Sequence, residues 1–145
     1  VDLVQGLLEK EGTAGSGAVI HNLTAAIFAK GAPEVAYFVD YLGGSVSSIY
    51  SLLGVGDLSV TSRGGRNTRM GCLLDLGMPY LEAKATQMPE DTIEGTDLAF
   101  AIGPAIMNLV KKGDLSQAIL PLLLKMVDIV MNNAPVVFPW NDFLA

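Results

Sequence analysis

Soft metal ligands are almost missing from this chain. Its 145 residues hold one cysteine, Cys72, and one histidine, His21. A lone cysteine excludes an internal disulfide. One cysteine and one histidine are too few for a zinc site, so no metal is expected. Positive charge is scarce too: 9 Lys and Arg stand against 15 Asp and Glu, a net charge of −6. General nucleic-acid binding needs a broad positive potential, which this balance denies. No run reaches the ~20 clean apolar residues of a membrane span. The nearest candidate, 115–131, contains Pro121, Lys125 and Asp128 and reads as a buried core helix. No signal peptide is visible, so the cytoplasm is the expected compartment. Phosphate-cradling glycine turns are missing as well. There is no Gly-Lys-Ser/Thr loop. Gly15-Ser16-Gly17-Ala18-Val19-Ile20 lacks the last glycine of a dinucleotide-binding fingerprint and follows no strand.

What is present is apolar and helical. Half of the residues are hydrophobic, which argues against disorder. The length suits one domain, 1–145, with one real core. Apolar residues recur at helical spacing, and no convincing strand alternation appears. Val1, Val4, Leu7 and Leu8 form a first stripe, and a glycine-rich break follows over 9–17. A long helix is expected over 18–42, capped by Gly43-Gly44 and kinked or broken by Pro33. Ser45, Ser47 or Ser48 caps a short helix ending near Leu53. Gly54-Val55-Gly56 reads as a turn, with a short helix or extended turn over 57–61. Helix resumes at Arg66, with Met70, Leu73 and Leu74 as its apolar face, and stops at Gly77. Pro79 opens another short helix. A helix over 93–110 ends in Lys111-Lys112-Gly113, as the helix dipole favours. Asp114 or Ser116 opens the next, apolar helix, running to about Asn132. The tail 133–145 packs as irregular chain. Cys72 is read as a small core residue. Lys30, Lys84 and His21 are read as solvated. The expected architecture is all-α, a compact multi-helix bundle. Because the chain opens at Val1 inside an apolar pattern, it reads as a piece of a longer protein.

The arginines are few and crowded. All three, Arg63, Arg66 and Arg69, lie within seven residues of one another, around Gly64-Gly65. A glycine pair before a helix start makes a nest of backbone N–H groups suited to an anion. Cations in a first helical turn oppose the helix dipole. A bound phosphate would offset that cost, and guanidinium forks suit phosphate oxygens. A solvated basic turn is the alternative reading. Asp57 and Thr61 are one helical turn apart and face a common space. Asp57 could instead simply cap the turn after Gly56.

The run G-V-G-D-L-S-V-T-S-R-G-G-R-N resembles the signature of the NAD(P)-dependent glycerol-3-phosphate dehydrogenases, in their C-terminal substrate-binding domain. Asn22-Leu-Thr-Ala-Ala-Ile-Phe-Ala-Lys-Gly-Ala-Pro-Glu34 and Ile93-Glu94-Gly95 are similar to further family segments. The similarity covers most of 1–112 and is weak beyond. Ser62 and Arg63 replace the family's usual residues after the threonine, and Pro33 interrupts a helix that the family runs without proline. The resemblance implies an all-α domain of the 6-phosphogluconate dehydrogenase-like type, whose Rossmann partner domain is not in this chain. It implies interconversion of dihydroxyacetone phosphate and sn-glycerol 3-phosphate with NAD or NADP. On this reading Arg66, Asn67 and Asn22 hold substrate. Asp57 and Thr61 serve catalysis beside a lysine expected before residue 1. Glu94 and Arg66 approach the nicotinamide end of the cofactor. A homodimer is compatible with it. Two other readings stay open: a related two-domain hydroxy-acid dehydrogenase, or a non-catalytic module whose Ser-Arg-Gly-Gly-Arg turn contacts RNA.

Overall fold

The structure is a computed structural model that describes residues 17–62, 64–138 and 140–143, with side chains from residue 25 onward. The stripe over 1–8 and the break over 9–16 lie outside the described residues. Among the described residues eight α-helices follow one another. They are α1 (Gly17–Tyr41), α2 (Val46–Ile49), α3 (Asp57–Thr61), α4 (Arg66–Asp75), α5 (Tyr80–Gln87), α6 (Glu94–Lys112), α7 (Pro121–Met131) and α8 (Trp140–Phe143). No strand occurs among the described residues, so the all-α expectation holds.

α1 runs unbroken through Pro33. The proline has no N–H to give the carbonyl one turn earlier, but buried contacts on both sides keep the helix together. Ile27, Ala32 and Ala36 are all buried. α2 is only one turn long, and its start at Ser45 has no side-chain cap. Where a turn was expected, Leu52–Gly56 forms a π-helical turn leading straight into α3. Ser51 caps it by accepting the Leu53 N–H.

Glycines end three helices as expected. Gly43, Gly77 and Gly113 each take a positive φ, which a side chain would oppose. At Gly113 the amides of Gly113 and Asp114 close back on Val110 and Leu109. α5 begins at Tyr80 with Pro79 at its cap, one residue later than expected. α6 begins after Ile93 and carries Pro104 within it.

The expected start of α7 at 114 or 116 is corrected. Residues 115–120 form turns, and the helix begins at Pro121, its first residue. There the missing N–H costs nothing, because the first amides of a helix have no acceptor within it. Leu115 and Leu120 look helical in sequence because they are buried, not because they are in a helix.

α7 is the centre of the bundle. Its Ile129 and Val130 join Met70, Leu74, Tyr80, Met88 and Ile93 in the largest core cluster. Its Leu122 packs on Ile27 of α1. Each such burial is worth roughly 1.5–3 kcal/mol. α6 crosses α7 at Gly103, where a Cβ would lie 2.5 Å from Met131 Sδ and 3.0 Å from Val127 Cγ1. Only a hydrogen there allows this approach. The tail bears a ring cluster, with Phe138 tilted against Trp140 and Trp140 edge-on to Phe143.

Three minor expectations change. Cys72 is half-buried, not core. Lys84 is not simply solvated: its ammonium donates to the carbonyls of Met88 and Pro89, both at 2.9 Å. Lys30 is half-buried, its ammonium 6.0 Å from the centre of the Phe143 ring.

Candidate functional site

α4 begins after Gly65, whose φ of +119° suits only glycine. The first amides of a helix have no acceptor within it. Arg66 and Asn67 occupy this first turn, and both reach across to the start of α6. The Arg66 guanidinium pairs with the Glu94 carboxylate. The Asn67 side-chain carbonyl accepts the Gly95 N–H at 3.0 Å. Two helix starts are thereby joined by two consecutive residues from each.

The electrostatics fit this joint. Glu94 is stabilised at the positive end of α6, while Arg66 is opposed at the positive end of α4. Pairing with Glu94 offsets that opposition. Their side chains remain 48% and 59% exposed, so the pair is open to solvent and to a competing anion. Gly95 has a local reason to be glycine: an added Cβ would stand 3.0 Å from the Asn67 Oδ1. Arg69 turns the other way. It donates to the Gln87 carbonyl at 2.8 Å and lies 3.4 Å from Asp91, anchoring α4 to the end of α5.

Asn67 and Gly95 help line an apolar hollow of about 250 Å³. Leu98 and Ile102 of α6, Met126 and Val130 of α7 and Leu58 of α3 line it too. A second hollow, about 270 Å³, is lined by Asp57, Leu58 and Thr61 together with Ala32 and Val35 of α1. Asp57 and Thr61 thus share one wall, as their spacing predicts. The Thr61 hydroxyl donates to the Asp57 carbonyl at 3.1 Å. Leu58 is common to both hollows. The structure brings Arg66, Asn67 and Glu94 into one cluster and Asp57 and Thr61 into a neighbouring one. Asn22 lies on the backbone of α1, but its side chain and that of His21 are outside the described residues, as is Arg63.

One buried charge escaped the sequence reading. Glu34 of α1 is only 2% exposed. Its two carboxylate oxygens accept the N–H groups of Leu122 and Leu123, at 3.0 and 2.8 Å. These are the first amides of α7 after the proline. Burial pushes the Glu34 carboxyl above its ordinary range, and the two amides and Lys30 pull the other way. The signal was in the sequence: Glu34 falls on the apolar stripe of α1, between Ile27 and Phe38 at helical spacing. A second buried chain runs from Tyr80, whose hydroxyl donates to the Thr96 hydroxyl, on to the Ile93 carbonyl. Among the described residues the buried Thr68 hydroxyl has no partner. No cluster of metal ligands occurs among them, and no helix is long and apolar enough to cross a membrane.

Comparison with known proteins gives the family. The family described as "NAD-dependent glycerol-3-phosphate dehydrogenase C-terminus" matches residues 11–137. An NADP(+)-dependent glycerol-3-phosphate dehydrogenase of Archaeoglobus fulgidus is 39% identical over 62 residues. That alignment takes in 43% of this chain and 18% of the relative, so the matched segment is less than a fifth of the relative's length. No solved structure matches. The family match spans the arginine cluster, both hollows and all of the helices but the last, and the chain belongs to the NAD-dependent glycerol-3-phosphate dehydrogenase C-terminal family.

Proposed function

We propose that this chain is the substrate-binding part of a dehydrogenase that interconverts dihydroxyacetone phosphate and sn-glycerol 3-phosphate. The observation that carries the reading is the Arg66–Asn67 helix start. It offers an open guanidinium, a side-chain amide and helix-end N–H groups within one turn. Asn67 spends its carbonyl on Gly95, which leaves its NH₂ for an anionic oxygen. Arg66 is half-exposed and can fork onto phosphate, in competition with Glu94.

Asp57 and Thr61 face the adjacent hollow. There they orient the substrate hydroxyls and an acid/base lysine supplied from outside the 145 residues. Asn22 completes the polar wall. A positioned acid/base contributes roughly 10²–10⁴-fold to such a proton transfer.

The family description implies a nicotinamide cofactor. The residues here fit only its ring end. Glu94 and Arg66 are open to solvent beside Gly95, which has no side chain to obstruct approach. No glycine fingerprint for the pyrophosphate is present. When bound, the nicotinamide supplies or accepts the hydride, and a separate Rossmann domain holds the rest of it. The choice between NAD and NADP belongs to that domain.

The test is Arg66→Lys in the chain joined to its nicotinamide-binding domain. Lysine keeps the charge and loses the fork. Charge-assisted hydrogen bonds are worth about 1.5–3 kcal/mol each, so kcat/KM for dihydroxyacetone phosphate falls roughly tenfold to a hundredfold. An unchanged value would mean that the phosphate binds elsewhere.

A further inference from the structure

We infer that Glu34 is a positioning residue for the site, acting through α7. Its carboxylate holds the Leu122 and Leu123 amides at the start of α7. α7 has no cap of its own: Leu120 stands at the cap position, and Pro121 has no N–H. Glu34 is an acceptor from a distant helix that satisfies the buried Leu122 amide and the part-buried Leu123 amide at once, with its negative charge at the positive end of α7.

Both hollows depend on the two helices that Glu34 ties together. α1 carries Ala32 and Val35 into the hollow of Asp57 and Thr61. α7 carries Leu123, Met126, Val127 and Val130 into the hollow that Asn67 and Gly95 help line. Leu123 is both a Glu34 partner and a wall residue. A loosened start of α7 therefore moves the wall that faces Asn67. Buried amides without an acceptor are expensive, so the carboxylate acts as a pin and not as an incidental contact.

The importance of this pin for substrate rests on the phosphate reading of Arg66 and Asn67; its mechanical role does not. The test uses this chain with Glu34→Gln, which keeps one oxygen acceptor, and Tyr37→Phe as control. Tyr37 also sits on α1 and accepts a distant amide, that of Ser116 at 3.2 Å, but caps no helix. In Glu34→Gln the Leu122 and Leu123 amides exchange about tenfold faster or more, and the NMR signals of the Gly95 amide and Asn67 side chain move. Affinity for sn-glycerol 3-phosphate falls about tenfold. Tyr37→Phe leaves those signals in place and the affinity within about twofold. Should Glu34→Gln fail to fold, Glu34→Asp gives the same readings, its shorter arm keeping the charge. Folded variants whose Gly95 and Asn67 signals stay put would overturn the inference. A wild-type chain that binds no sn-glycerol 3-phosphate would overturn the phosphate reading instead, and the two signals would still decide the role of Glu34.

Discussion

Arg66 stands where a helix dipole opposes it, and Glu34 stands where burial opposes it. Both are placed at a cost that one partner set offsets. The first was legible in sequence, because the arginines cluster beside two glycines in a chain poor in arginine. The burial of the second was signalled by its place on the apolar stripe of α1, but its partners, 88 and 89 residues away, were not. Lys84 escaped for a related reason, since carbonyl acceptors leave no mark in the sequence. Glu34 has a pH consequence. Its folded pKa is raised above the ordinary glutamate value of about 4.5, first by desolvation. The folded state therefore holds this proton more tightly than the unfolded chain. Its contribution to stability is fully present below the unfolded pKa and is lost as pH rises through the raised folded value. Wild type measured against Glu34→Gln by urea denaturation should lose relative stability as pH climbs from about 4.5 and level off above the folded pKa. A difference that grew with pH would mean that the two amides outweigh desolvation.

The helices were read well where their ends carry chemistry. Gly43, Gly77 and Gly113 stop their helices in the left-handed region that glycine tolerates. The start of α7 was misread because hydrophobic periodicity reports burial, and Leu115 and Leu120 are buried in turns. The joint between α4 and α6 was half legible. The resemblance pointed to Arg66, Asn67 and Glu94, but their direct pairing appears only in the fold. The crossing of α6 and α7 was not legible: the helix over 93–110 was expected, but nothing in the sequence marks Gly103 as the point where α7 presses against it. At this scale Gly103→Ala is informative. Its Cβ would press on Met131 and Val127. Overpacking of this kind costs about 1–3 kcal/mol. The urea midpoint should fall with an unchanged slope. No change in midpoint would mean that the Met131 side chain simply swings away.

Across the whole molecule the two hollows share Leu58, with Asn67 of the candidate phosphate cluster lining one and Asp57 lining the other. α7 and α1 hold these walls from behind, and Glu94 and Gly95 hold the side chains of the Arg66 turn. All of these residues are in this chain, so the anion site should be measurable in it. The most direct measurement is calorimetry of the 145-residue chain with sn-glycerol 3-phosphate, comparing wild type, Arg66→Ala and Arg63→Ala. Both variants remove one positive charge from the same turn, so a difference between them reports contact and not field. Loss of a charge-assisted pair predicts at least a tenfold weaker affinity for Arg66→Ala, and a smaller loss for Arg63→Ala. Equal losses, or a larger one for Arg63→Ala, would contradict a phosphate site built on Arg66.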